Sequence, residues 1–379
     1  MDRNITLIDT TLRDGSQRSH IVFSQEDKLR IVGMLSSCGI SVLEAGVPAM
    51  GKDEQNSMLD LKQKFPQIHL IGWCRMLKRD IDAALNSGCD SVHISFPTSG
   101  LHQAVINVTQ RDVLNNLQQL MEYACKRFIH VSVGAQDASR ADRVFLKKFV
   151  AAAVSAEAKR VRIADTVGIL TPLATAAMIE DLIFCIPDAD LEFHAHNDLG
   201  MATANTVTAI ESGARSASVT LCGIGERAGN APLEEVSTAL YIAGNFSTGI
   251  STQHLKHICK STYKIIRQVM PFQKPVVGEG VFSHESGIHC HGLIRDVRTY
   301  EPFCPEKVGQ NREFFAGSHS GTAGISALLT QNGIKADKIN VSNLVGRVRE
   351  ISRQKSDSLS SKEIGNLFGK KHSSEKRPL

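Results

Sequence analysis

From residue 5 to about 245, short apolar runs alternate with longer stretches in which apolar residues recur every three to four positions. Eight of the short runs read as strands: Ile5–Asp9, Ser41–Ala45, His69–Cys74, Ser91–Phe96, Ile129–Val133, Arg160–Ala164, Leu191–His196 and Ser216–Leu221. The stretches between them, such as Asp27–Leu35, Val113–Tyr123 and Leu173–Phe184, read as helices. Ser24 ahead of Gln25-Glu26-Asp27, and Thr171 ahead of Pro172, mark helix starts. Gly39, Gly88 and Gly213 stand where helices should stop. Eight strand–helix repeats in this span predict an α/β fold, a (β/α)8 TIM barrel. A doubly wound sheet is the alternative. It would have fewer strands and a Gly-rich phosphate turn after the first, and Leu12-Arg13-Asp14-Gly15-Ser16-Gln17 is not GxGxxG.

Beyond the barrel the pattern changes. It divides the chain into a barrel domain over 1–250, a linker over 251–282 and a C-terminal helical subdomain over 283–369. Pro271, Pro275, Gly278 and Gly280 mark the linker. Helical segments in the extension fall near Thr322–Gln331, Val341–Arg353 and Ser361–Phe368. Residues 370–379 are polar and basic and read as a flexible, solvated tail.

Composition narrows the function classes. Apolar residues make up 42% and charged residues 22%, so neither long disorder nor a fibre is the plan. No run approaches the ~20 apolar residues of a membrane span, and Met1-Asp2-Arg3-Asn4 has no apolar signal region behind it. A net charge of +4 is too small to argue for nucleic acid, although a small anionic substrate would suit it. Nine scattered cysteines without CxxC spacing read as reduced thiols of a cytoplasmic protein.

In a barrel, chemistry sits at the carboxyl ends of the strands. Arg13-Asp14 follows the first strand, His194-Ala195-His196 ends the seventh, and Gly223 to Asn230 follows the eighth. These three strands become neighbours when the sheet closes. His194 and His196 are two apart on a strand and share a face. With Asp14 they form a mixed N/O set that suits a borderline divalent ion such as Zn²⁺, Mn²⁺, Fe²⁺ or Co²⁺, and Asn230 could add a neutral oxygen. Taken alone, a His-x-His pair is more often a surface or core feature than a metal site. Arg13 could hold a carboxylate or stabilise an enolate oxygen, or it could be an ion pair of the barrel floor. Other strand ends offer Glu44, Arg75, Ser95, Gln136, Asp137, Arg140, Asp165 and Thr166. Arg75 and Arg140 could pair with the far carboxylate of a dicarboxylic substrate, or serve as structural salt bridges. His284, His289 and His291 form a second cluster, which matches no zinc finger and favours a general base over a structural metal. No G-x-S-x-G nucleophile elbow occurs.

Three long motifs together resemble the metal-dependent acyl-CoA condensing enzymes, the isopropylmalate, homocitrate and citramalate synthase family. They are Leu12–Gln17 with Lys28, Leu191–Ala202, and Gly223–Asn230. The likeness runs from about residue 4 to 310. It implies a TIM barrel and a divalent ion (Mn, Mg, Zn, Co or Fe) on Asp14, His194 and His196, with Asn230 completing the site and Arg13 assisting at the substrate oxygen. It implies acetyl-CoA and a 2-keto acid as substrates. It also implies a homodimer with a swapped C-terminal segment, in which Ser286-Gly287-Ile288-His289 reaches the partner's site, His289 is the base and Tyr300 lies beside it. Glu44–Gly51, Trp73-Cys74-Arg75, Ser95–Ser99 and Asp137–Asp142 look most like homocitrate synthases of the nitrogen-fixation type, whose acceptor is the dicarboxylate 2-oxoglutarate. On that reading Glu44, Arg75, Arg140 and Thr166 bind substrate. Only about 70 residues follow Gly309, too few for the C-terminal effector domain of feedback-inhibited members. The chain departs from the family at Gln136, where relatives usually carry an acid, at Ser16, and at Ser318-His319-Ser320-Gly321.

Two other classes fit less well. A barrel hydrolase holding hydroxide on His-x-His would place that pair on the first strand. A silent binding protein, suggested by Gln136 alone, would bind ion and keto acid without releasing CoA.

Overall fold

In a computed structural model, described over residues 4–242, 244 and 246–374, eight parallel strands close into a barrel. They are β1 (Thr6–Asp9), β2 (Val42–Gly46), β3 (His69–Arg75), β4 (Ser91–Pro97), β5 (His130–Gln136), β6 (Arg160–Asp165), β7 (Leu191–Ala195) and β8 (Ser216–Val219). Each pairs with the next, and β1 closes on β8 through the registers Thr6–Ser216 to Asp9–Val219. All eight expected strands are present, with ends shifted by a few residues. β8 stops short of Leu221 because Leu221–Gly223 turns into a 3-10 segment, with Cys222 in the left-handed region at φ 59°.

The strands are buried on both faces, which is why they read as near-continuous runs. Outward-facing Phe96, Phe193 and Ile163 meet the surrounding helices, and Phe96 packs on Phe149 at 5.7 Å between ring centroids. Helix starts are built as the sequence suggests. Ser24 and Asp27 form a reciprocal capping box at Gln25–Ser37, and Thr171 accepts from the Ala174 N–H ahead of Pro172–Cys185. Gly39 ends the first helix at φ 103°, where a Cβ would lie 2.3 Å from the Gly249 carbonyl. Only glycine fits there.

The inner face of the barrel departs from an aliphatic filling. Glu44 (β2), Arg162 (β6) and Glu192 (β7) lie inside it almost completely buried, with His93, Ser132 and Ser218. Arg162 donates from Nη2 to Glu44 Oε2 and from Nε to Glu192 Oε1, each at 2.7 Å. Arg160 donates to Glu192 Oε2 at 2.6 Å, and Ser218 donates to Glu192 Oε1. Charges taken out of water persist only when paired in this way.

The expected linker over 251–282 needs correction. Leu255–Ile265 is a helix, and the compact barrel unit extends to Val269. Leu255, Ile258, Cys259 and Thr262, at helical spacing, are all buried. That spacing outweighs the loop-like composition around it.

The second compact unit begins at Met270. It contains β9 (Ser283–His284), β10 (Glu313–Ala316) and β11 (Leu359–Ser360) in the order β11-β10-β9. Helices Gly287–Arg295, Thr322–Gln331, Lys338–Lys355 and Ser361–Ser374 accompany the sheet. Its own core gathers Cys290, Leu293, Phe314, Ile325, Leu344 and Val348. The last helix continues to Ser374 through the first part of the expected tail, and residues 375–379 lie outside those described.

Candidate metal centre and substrate cavity

The turn after β1 is wound about one acceptor. The N–H groups of Arg13, Asp14 and Gly15 all donate to the Thr10 carbonyl, at 3.2, 2.9 and 3.1 Å. This turns Arg13 and Asp14 inward over the barrel mouth, where both are buried. Arg13 donates from Nη1 to Asp14 Oδ2 at 2.8 Å and from Nε to Glu44 Oε1 at 2.5 Å. Thr10 Oγ1 also donates to Glu44 Oε1, at 3.2 Å.

Opposite this turn, β7 delivers the two histidines. His194 Nε2 lies 3.3 Å and His196 Nε2 3.8 Å from Asp14 Oδ2. The strand ends at Ala195, and a single bridge from His196 to Asn230 carries the pairing to the loop after β8. That loop brings Asn230 Nδ2 to 3.1 Å from Asp14 Oδ1 and 3.2 Å from the Ile224 carbonyl. A Cβ on Gly225 would sit 2.1 Å from Asn230 Nδ2 and 3.3 Å from Asp14 Oδ1, so the close approach requires glycine.

Electrostatics leave this group ready for a cation. Burial pushes the Asp14 carboxyl up, but the Arg13 guanidinium and His194 outweigh it and hold the group well below the usual carboxylate range. Burial and the neighbouring His194 push His196 down to about 4 against the pull of Asp14, so its imidazole is neutral at pH 7. The donor atoms of Asp14, His194 and His196 lie within 4.8 Å of one another. Around them, His194 Nδ1, His196 Nδ1 and Asn230 Oδ1 are buried without a hydrogen-bond partner. Two imidazoles, one ionised carboxylate and an amide oxygen suit a divalent ion of intermediate softness.

Beside this group lies a cavity of about 270 Å³. Arg13, Asp14, His194, His196 and Thr166 line it, together with Trp73, His93, Ser95, Gly134, Gln136 and Arg162. Glu44 lies behind this wall and holds both Arg13 and Arg162. Burial and the nearby Arg162 depress His93 well below its usual value, so it too is neutral.

The expected carboxylate readers Arg75 and Arg140 do not line the cavity. Arg75, half-exposed, is held by both oxygens of Asp80, and Arg140 by both oxygens of Asp137. Each aspartate lies within five residues of its arginine and captures it locally. Thr166 does line the cavity, and its Oγ1 accepts from the Asp137 N–H at 2.8 Å. In the second unit, His289 and Tyr300 are exposed and stack at 4.1 Å between centroids. A Cβ on Gly292 would meet the Tyr300 ring at 2.7 Å. Sequence reasoning missed Arg162, His93 and Glu192. The signal was the two-residue parity already used for His194 and His196, because Glu192 continues that face of β7 and Arg162 precedes Ala164 on β6.

Fold and site together define a (β/α)8-barrel protein with a buried, candidate divalent-metal centre at the carboxyl ends of its strands. Residues 4–261 match the HMGL-like family, and residues 276–356 match the homocitrate synthase post-HMGL domain-like family. The chain belongs to the HMGL-like family, which depends on a divalent metal ion. It is 38% identical over 368 residues to 2-isopropylmalate synthase 2 of Caldanaerobacter subterraneus, covering 97% of this chain and 96% of that protein. It is also 38% identical over 364 residues to homocitrate synthase 1 of a Nostoc species, covering 96% of each. The solved hydroxymethylglutaryl-CoA lyase of Pseudomonas aeruginosa shares the fold, with a TM-score of 0.63 at 22% identity over 71% of this chain and 95% of that one. Among the described residues, no helix is long and apolar enough to cross a membrane.

Proposed function

We propose that this chain is an acyltransferase that condenses acetyl-CoA with a 2-keto acid. The first choice of acceptor is 2-oxoglutarate, which gives homocitrate and CoA. The convergence of Asp14, His194 and His196 beside a cavity that also receives Arg13 carries the reading. Asp14, His194 and His196 would hold the ion, with Asn230 as a fourth or supporting ligand. When bound, the ion polarises the keto group as a Lewis acid.

The protein groups do the rest. Arg13 keeps Nε and Nη1 on Glu44 and Asp14, and its Nη2, without a partner among the described residues, donates to the oxygen on which charge develops. Glu44 fixes that guanidinium in place. Thr166, at the cavity wall, is positioned to meet the substrate carboxylate. His289, with Tyr300 stacked on it, takes a proton from the acetyl methyl group. The methyl carbon then bonds to the keto carbon, and water cleaves the thioester to release CoA. His289 comes from the second copy of a homodimer through the swapped C-terminal segment. A reduced, cytoplasmic setting suits free thiols at all nine cysteines.

The relative named as a 2-isopropylmalate synthase is as similar as the one named as a homocitrate synthase, which favours the same chemistry on a branched keto acid or pyruvate as the second reading. CoA release from acetyl-CoA, followed with a thiol-reactive dye on 2-oxoglutarate, 2-oxoisovalerate and pyruvate, with and without chelator, tests both. Release with 2-oxoisovalerate but none with 2-oxoglutarate overturns the first choice. Release that survives chelation overturns the metal centre.

A further inference from the structure

The cavity is floored by one row of the sheet. Ser95 on β4 registers with Gly134 on β5, Gly134 with Arg162 on β6, and Arg162 with Glu192 on β7. This row lies two residues before the one that carries His194, roughly 6.6 Å nearer the amino ends of the strands. Gly134 keeps the row open. A Cβ there would lie 2.5 Å from His93 Nε2, so the histidine ring occupies the space that a side chain would take.

The row also holds Arg75, in register with Ser95, but that guanidinium is held by Asp80 and does not line the cavity, whereas Arg162 does. Arg162 is 3% exposed and is locked at two points by Glu44 and Glu192. Those bonds use Nε and Nη2, and Nη1 has no partner among the described residues. Ser95 Oγ, across Gly134 on the same cavity wall, also has no protein partner there, and His93 is engaged only through Nδ1, by Ser132 at 3.0 Å. A fixed guanidinium with a spare nitrogen, flanked by a hydroxyl and a neutral imidazole, matches a planar anion and is wasted on an isopropyl or methyl group.

We infer that Arg162, with Ser95, is the receptor for the second carboxylate of a dicarboxylic 2-keto acid and sets the acceptor specificity of the site. The inference rests on the condensation reading above and moves to Arg162 the role expected of Arg75 and Arg140, which Asp80 and Asp137 hold outside the cavity lining. The dimensions agree. The end carbons of an extended five-carbon keto diacid lie about 5 Å apart, close to the spacing of the two rows. Because Glu44 bridges Arg162 and Arg13, the far end of the substrate is read by a group rigidly tied to the one that serves the reacting end.

The test compares 2-oxoglutarate with 2-oxobutyrate, which keeps the keto acid end and lacks the second carboxylate. CoA release and calorimetric keto-acid binding are measured on the metal-loaded full chain. Wild type should favour 2-oxoglutarate. Arg162→Gln should lower the ratio of kcat/KM for the two acids on the order of 100-fold, mainly through KM, with a matching loss in Kd. Ser95→Val, which leaves the ion pairs of Arg162 intact, should lower the same ratio about tenfold. A folded Arg162→Gln that keeps the wild-type ratio, or loses both acids equally, overturns the inference while the condensation stands. Should Arg162→Gln fail to fold, an unchanged ratio in Ser95→Val overturns it instead. Wild type that releases CoA only with monocarboxylic acids removes the choice of 2-oxoglutarate, and this inference with it.

Discussion

Gly225→Ala offers a steric probe of the candidate metal centre that mutates none of the proposed ligands. The added Cβ would lie 2.1 Å from Asn230 Nδ2, about 1 Å inside normal contact, and 3.3 Å from Asp14 Oδ1. Gly225 has no positive φ, so the substitution adds bulk without backbone strain. Asn230 must retreat from its bonds to Asp14 Oδ1 at 3.1 Å and the Ile224 carbonyl at 3.2 Å. Overpacking of this kind costs about 1–3 kcal/mol, and a lost hydrogen bond to a charged acceptor about 1.5–3 kcal/mol, with partial relief as the loop relaxes. A net loss of roughly 2–4 kcal/mol corresponds to a fall of about 5–10 °C in the melting temperature of a unit this size. Displacing groups that support the ligands should also weaken divalent-ion affinity about 10- to 100-fold. Differential scanning calorimetry and competition against a chromogenic chelator read the two quantities. Gly346→Ala, where an added Cβ meets nothing within 4 Å, is the control and should leave ion affinity unchanged. A Gly225→Ala protein that keeps both its melting temperature and its ion affinity would refute the placement of Asn230 against Asp14.

Other outcomes follow from the buried charges. Glu44→Gln removes a carboxylate shared by Arg13 and Arg162, and should cost about 3–5 kcal/mol in chemical denaturation, with activity lost beyond the stability change. Asp9 is raised by burial, against the opposing bonds from Thr11, from its usual 3.8 to about 7. The folded state therefore holds a proton that the unfolded state has released, so stability falls as pH rises from about 4 to 7. Asp9→Asn should flatten that part of the pH profile in urea titrations, and an unchanged slope would count against it. Glu192 is opposed by burial yet lowered to about 2, chiefly by Arg162 and Arg160. Its contribution should be complete above about pH 4.5 and fade as pH falls toward 2, a loss that Glu192→Gln should abolish in acid denaturation. Cys125, Cys185 and Cys304 are exposed and the other six cysteines are buried or partly so. A thiol reagent should label three groups quickly in the folded protein and nine in denaturant, and that background must be subtracted when CoA is assayed.

The sequence made the barrel legible because each strand–helix unit carries its own punctuation: Ser24 and Thr171 at starts, Gly39 and Gly213 at stops, and apolar runs whose length separates strand from helix. The candidate metal centre is legible because His194 and His196 share a strand and Asp14 falls at the same end of the barrel. Leu255–Ile265 is hard to see in the sequence because its helical spacing is set beside a stretch rich in proline and glycine. Arg75 and Arg140 stand outside the cavity lining for a different reason. Position at a strand end says nothing about whether a neighbouring aspartate reaches the guanidinium first, as Asp80 and Asp137 do. The Arg162–Glu44 pair spans 118 residues and exists only through closure, so no local pattern announces it.

Barrel closure also decides when the centre can exist. Asp14 and Asn230 are 216 positions apart and meet only once β8 has zipped onto β1. A nascent chain still short of residue 230 lacks Asn230, and one nicked so that the seam opens parts Asp14 from the histidine pair of β7. Cation uptake at the proposed set of ligands would therefore report completed folding.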